Sequence, residues 1–156
     1  MNSIIVIIAI VVVIYFIFKK GTTSKKKSAS TKKVVLKTKL IQDDDEEAYS
    51  MYFDVVGESF KNEDGTDRQE IIKKHVKELN PAHLKFYNYK GSLACAVYVD
   101  EAMGKQVGNI PKHEVQELYE LATDESTYIS PRFYEKKGGG DYMYGVTIEI
   151  LIKEED

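Results

Sequence analysis

Residues 4–18, IIVIIAIVVVIYFIF, run for fifteen positions without a charge and end against Lys19 and Lys20. No other stretch constrains the chain so strongly, because such a run needs lipid around it or must be removed. At helical rise it covers about 22 Å against a hydrocarbon core of about 30 Å, and Met1–Ser3 with snorkelling lysines extend it. A cleaved signal peptide puts its charges before the apolar run, whereas here they follow it, and no small-x-small cleavage site precedes the lysines. Residues 1–20 are therefore read as a transmembrane anchor that makes the chain a single-pass membrane protein. Lys19, Lys20, Lys25, Lys26, Lys27, Lys32, Lys33, Lys37 and Lys39 all lie C-terminal to the run. The excess of positive charge on that side predicts a soluble domain in the cytoplasm. One cysteine, Cys95, fits a compartment that keeps thiols reduced.

Residues 21–48 read as a charged flexible linker. GTTSKKKSASTKK, 21–33, is small, polar and basic, and DDDEE, 43–47, is a solid acidic block. Neither buries enough apolar surface to fold alone. The lysines fit two roles, contact with anionic headgroups or a topology signal with a solubilising spacer. A bare acidic run lacks the looped geometry that calcium needs.

From residue 49 the pattern changes to alternation and capped helices. SMYFDVVG, 50–57, predicts a strand closing at a glycine, and NEDG, 62–65, a turn. Thr66 with Gln69 fits a capping box, and Ile72, Val76 and Leu79 predict a helix over 67–79 that stops before Pro81. KFYNY and LACAVYVD read as strands. Gly108 in KQVGNI marks a bulge or a close backbone approach. Pro111 suits the first turn of a helix carrying Val115, Leu118 and Ala122 on one face. TYISPRFYEK and YMYGVTIEILI, joined by GGGD, read as a hairpin with Tyr142, Tyr144, Val146, Ile148, Ile150 and Ile152 on one side. The expected fold is α+β and mostly β: a small, partly open β-barrel of five to six strands with two helices, preceded by one transmembrane helix.

VVGESFKNEDGTDRQEIIKK (55–74), ACAVYVD (94–100) and GKQVGNIPKHEVQEL (104–118), taken in that order, resemble the HIRAN domain. The resemblance covers most of 52–121, and 49–156 is read as a HIRAN-like domain. It implies a non-catalytic β-rich module, one whose relatives in DNA-repair translocases read single-stranded DNA with a free 3′ end. It also implies site positions after the first strand, where this chain has Ser59 and Phe60, at the helix start, Lys112, and after the second glycine, Asn109. The family's NPYDxNA motif is replaced here by YKGSLACA, with Ser92 and Leu93 where its aromatic and carboxylate would stand.

Phe60, Lys61, Asn109 and Lys112 are accordingly the candidate nucleic-acid-binding residues. From residue 48 onward, thirteen Lys plus Arg face twenty Asp plus Glu, a net of about minus seven, which repels phosphate unless bases gather on one face. Lys61, Arg68, Lys73, Lys74, Lys105 and Lys112 are available for such a patch, although Lys73, Lys74 and Lys77 equally suit the solvated side of a helix. Phe60, Tyr87, Tyr89 and Tyr98 offer surfaces for stacked bases or for a protein partner, or simply pave the sheet. His75 reads as a half-buried packing residue and Cys95 as a small core residue. His75, His83 and His113 have no metal spacing, and no Ser-His-Asp or Cys-His signature stands out. The expectation is a binding module with no enzymatic activity, cofactor, metal or small-molecule substrate. Its expected partners are the membrane through residues 4–18 and single-stranded nucleic acid, or alternatively a protein at the membrane surface.

Overall fold

The structure is a computed structural model that describes Leu36, Ile41, residues 47–100 and residues 102–155. The predicted anchor at 1–20, and with it the membrane placement, lies outside the described residues. Among the described residues no helix is long and apolar enough to cross a membrane.

Eight elements follow in order: β1 (Ala48–Asp54), α1 (Arg68–His75), β2 (His83–Tyr89), β3 (Ser92–Tyr98), β4 (Gln106–Asn109), α2 (Val115–Thr123), β5 (Thr127–Gly139) and β6 (Tyr142–Glu154). The strands form two three-stranded antiparallel sheets, β1-β6-β5 and β2-β3-β4, and no closed barrel. In the first sheet the register puts Phe53 opposite Ile148 and Ile148 opposite Phe133. All three are buried, with Ile129, Val146, Ile150 and Ile152 on the same face. The second sheet adds Leu84, Cys95, Val97 and Val107 to the same core. Side chains of this size stabilise by about 1.5–3 kcal/mol each on full burial.

Single bridges stitch the two sheets at both margins. Val56 N–H donates to Asn109 O at 2.8 Å, and Asn109 N–H donates to Val56 O at 2.9 Å. At the opposite margin Ala82 N–H donates to Pro131 O at 3.0 Å, and Phe133 N–H donates to Asn80 O at 2.9 Å. Pro131, which has no N–H to give, sits where β5 needs only a carbonyl on that side. Gly108 explains the first stitch. A Cβ there would stand 2.7 Å from Val56 O and overlap Val55 Cγ1, so only glycine lets β4 approach this closely. The β3–β4 register also shifts beside it, between Val97 and Tyr98.

The helices correct two expectations. Asp67, not Thr66, caps α1, its Oδ1 accepting from Gln69 N–H at 2.8 Å. The helix stops at His75 instead of running to 79, because Val76 turns extended and Leu79 takes φ 64° so that its N–H reaches Phe133 O at 2.7 Å. The second stitch outweighs continued helix. His75 is consequently exposed, not half-buried. α2 begins after a turn closed by Glu114 N–H on Pro111 O at 3.0 Å, so Pro111 opens the turn, not the helix. Val115, Leu118 and Ala122 face inward as their spacing predicts. Two residues from the stretch read as linker are packed: Leu36 rests against the core and Ile41 is 6% exposed.

Candidate nucleic-acid interface

The loop from Gly57 to Asp67 sets the geometry of the candidate site, and α1 clamps it from below. Arg68, at the first position of α1, donates from Nε to Asn62 Oδ1 at 2.7 Å and from Nη1 to Gly57 O at 2.9 Å. Asn62 in turn donates from Nδ2 to Gln106 O on β4 at 3.1 Å. Gln69 reaches past the loop to β6: its Nε2 donates to Glu58 O at 3.2 Å and Tyr144 O at 3.0 Å, and its Oε1 accepts from Tyr144 N–H at 2.6 Å. NEDG closes as a turn, with Gly65 N–H on Asn62 O at 2.9 Å. The start and the middle of the loop are therefore held by hydrogen bonds to α1 and β4.

Phe60 stands on this clamped loop and is 65% exposed. It is the largest apolar side chain of the loop and lies outside the core, so the loop holds a ring toward solvent. Beside it, the outer face of the second sheet carries Tyr87 and Tyr89 from β2, Tyr98 from β3 and Asn109 from β4. The Tyr87 hydroxyl donates to Asn109 Oδ1 at 2.9 Å, and Gln106 Nε2 donates to the same oxygen at 3.2 Å. The Tyr87 and Tyr89 rings meet edge to face at 6.5 Å, with Lys90 Nζ 5.2 Å from the Tyr89 ring centre.

The structure joins Asn109 to the Phe60 loop through the bridge at Val56, but Asn109 serves as a hydrogen-bond hub. Lys61 is exposed and pairs by its backbone with Asp67. Lys112 is exposed on the turn before α2, and no bond links it to the Phe60 loop. Lys73, Lys74 and Lys77 lie on the solvated side, Lys74 paired with Glu70 at 2.9 Å. Lys105 pairs with Asp100 at 3.6 Å. Lys90 and Gly91, at φ 51° and 86°, make the two-residue hairpin turn between β2 and β3.

Sequence reasoning offered Arg68 for a basic patch but missed its role as the clamp on this loop. Arg68 is 8% exposed, and burial pulls its guanidinium pKa down, partly offset by the neighbouring Tyr87 and Tyr98. Burial raises the pKa of both tyrosines. Only the helix-start position after an Asx turn hinted at the clamp, and nothing local showed that the loop would fold back over it. Elsewhere, Cys95 is fully buried and its thiol is pushed up to about 12 by burial. Among the described residues no cluster of His, Cys, Asp or Glu could hold a metal ion. Compared with known proteins, the chain matches no family model, no curated protein and no solved structure.

Proposed function

We propose that this chain is a HIRAN-like, non-catalytic binding module, moored by residues 4–18 to the cytoplasmic face of a membrane, that takes single-stranded nucleic acid or its end. The observation carrying the reading is Phe60: an exposed aromatic ring on a loop locked at Gly57, Asn62 and Glu58, next to a tyrosine-lined sheet face. A ring held in place loses little freedom when a base stacks on it, and each such stack is worth about 1–3 kcal/mol. Tyr89 with Lys90 provides a second stacking surface and a cation. Two three-stranded sheets joined by one isolated bridge at each margin support a partly open barrel of the HIRAN kind. Sequence-independent stacking suits a module with no chemistry of its own.

The test uses the full-length protein in detergent and fluorescent single-stranded DNA with free or blocked 3′ ends, titrated across salt. The reading expects micromolar affinity that weakens with salt, and a loss of about fivefold to a hundredfold for Phe60→Ala. Absence of binding at low salt, or an unaffected Phe60→Ala variant, would remove it.

A second reading, a protein-interaction or scaffold module at the membrane, draws on the opposite face of the first sheet. There Tyr52 and Tyr134, 51% and 47% exposed, meet edge to face at 4.8 Å over the ion pair of Arg132 and Glu149. Exposed tyrosines around a fixed charge pair are suited to protein contact, and the acidic balance of the domain tolerates a basic partner.

A further inference from the structure

A second chemical group lies beside Phe60, and its wiring is unusual. A guanidinium has five N–H donors. In Arg68 two nitrogens are bonded, Nε to Asn62 and Nη1 to Gly57, and both acceptors are neutral. Among the described residues no carboxylate lies within 4.0 Å of it. Burying a cation without a counter-ion is costly, and a clamp on two neutral oxygens needs donors but no charge. Among the described residues the Nη2 edge makes no bond, yet it is not sealed: Glu114 Oε2 is the one fully enclosed side-chain polar atom there that lacks a partner. Nη2 therefore meets solvent.

Glu58, Asp64 and Asp67 each accept from a backbone N–H. Glu58, the acid whose charge Arg68 feels, accepts at Oε1 from Val146 N–H at 3.2 Å. Asp64 accepts from Thr66 N–H at 2.9 Å, and Asp67 accepts from Gln69 N–H at 2.8 Å. The Phe60 ring and Arg68 Nη1 converge on Gly57: each lies 3.3 Å from the point a Cβ there would occupy. An aromatic ring and a guanidinium beside one bare backbone position match the two ends of a nucleotide, base and phosphate.

We propose that the free Nη2 edge of Arg68 seats a single phosphate of a nucleic-acid strand whose neighbouring base stacks on Phe60. This rests on the nucleic-acid reading above and adds the phosphate-binding residue to it.

The experiment uses full-length protein in detergent and a short thymidine oligonucleotide. In the wild type, one charge-neutral methylphosphonate is moved along the strand, a measurement that needs no variant to fold. One position should weaken binding by about tenfold to a hundredfold beyond the rest. Arg68→Gln and Arg68→Lys, checked for native melting, should lose affinity by a similar factor. Arg68→Gln should also lower the slope of log affinity against log salt by about one, whereas Phe60→Ala should weaken binding without changing that slope. Glu58→Gln should tighten binding a fewfold. Equal losses at every methylphosphonate position, or an Arg68→Gln variant with wild-type slope, would overturn the assignment while leaving the module a nucleic-acid binder. No binding by any form would remove both this assignment and the reading it rests on.

Discussion

Gly108→Ala tests whether the stitch between the two sheets is what holds the Phe60 loop in place. The added Cβ would lie 2.7 Å from Val56 O and overlap Val55 Cγ1, and both obstacles belong to one segment that cannot swing aside like the tip of a long side chain. Relief requires β4 to withdraw from Val56, which lengthens or breaks the two hydrogen bonds at 2.8 and 2.9 Å. Overpacking of this kind costs about 1–3 kcal/mol, and each hydrogen bond about 1 kcal/mol net. The combined loss is about 3–5 kcal/mol, or a fall in Tm of about 12–30 °C for a domain of this size. Gly145 offers the control. Nothing lies within 4 Å of its missing Cβ and its φ is not positive, so Gly145→Ala should be neutral or stabilise by about 0.4–1 kcal/mol. Urea unfolding of both full-length variants can be followed by tyrosine fluorescence, undisturbed by tryptophan, which the chain lacks. A Gly108→Ala variant within about 0.5 kcal/mol of wild type would refute the close approach and the stitch built on it.

Other consequences can be measured separately. Ile41 is 6% exposed although it lies in a compositionally linker-like stretch, so Ile41→Ala should destabilise the domain by about 2 kcal/mol; an unchanged urea midpoint would show that the contact carries no weight. Glu149 is 3% exposed; burial pushes its carboxyl up, but hydrogen bonds from Ser50, Arg132 and Tyr52 outweigh this and hold it below the usual 4.5. Its stabilising contribution is present above that value and is lost as pH falls through the lower folded pKa, so the drop in urea midpoint below about pH 4.5 should be shallower in Glu149→Gln. The same variant removes the Glu149 carboxylate from Arg132, Ser50 and Tyr52 and should lower the urea midpoint at neutral pH. Cys95, with its thiol pushed up to about 12, should resist alkylation until the domain unfolds, and rapid labelling of the native protein would contradict its burial.

Much of the fold was legible from local pattern. Alternation marked the strands, and the residues Val115, Leu118 and Ala122 face inward as their spacing requires. Gly108 was legible too, because a glycine interrupting a strand has few reasons to be there. The end of α1 was not. Ile72, Val76 and Leu79 keep helical spacing, yet Val76 is buried as extended chain and Leu79 is exposed, since bonds to β5 decide where the helix stops. Among site residues Phe60 and Asn109 were named from the resemblance alone; the exposure of Phe60 and the bonds of Asn109 Oδ1 to Tyr87 and Gln106 came only with the fold.

The sequence by itself determined the element types, most of the core faces and the need for glycine at 108, because these follow from residue periodicity and backbone sterics within a few positions. Only the tertiary structure decided that Arg68 is buried without a carboxylate partner, that Leu36 and Ile41 belong to the packed domain, and that Asn109 joins the two sheets. Those outcomes depend on which groups meet across tens of residues of chain. A guanidinium at a helix start reads the same in sequence whether a loop folds over it or water does.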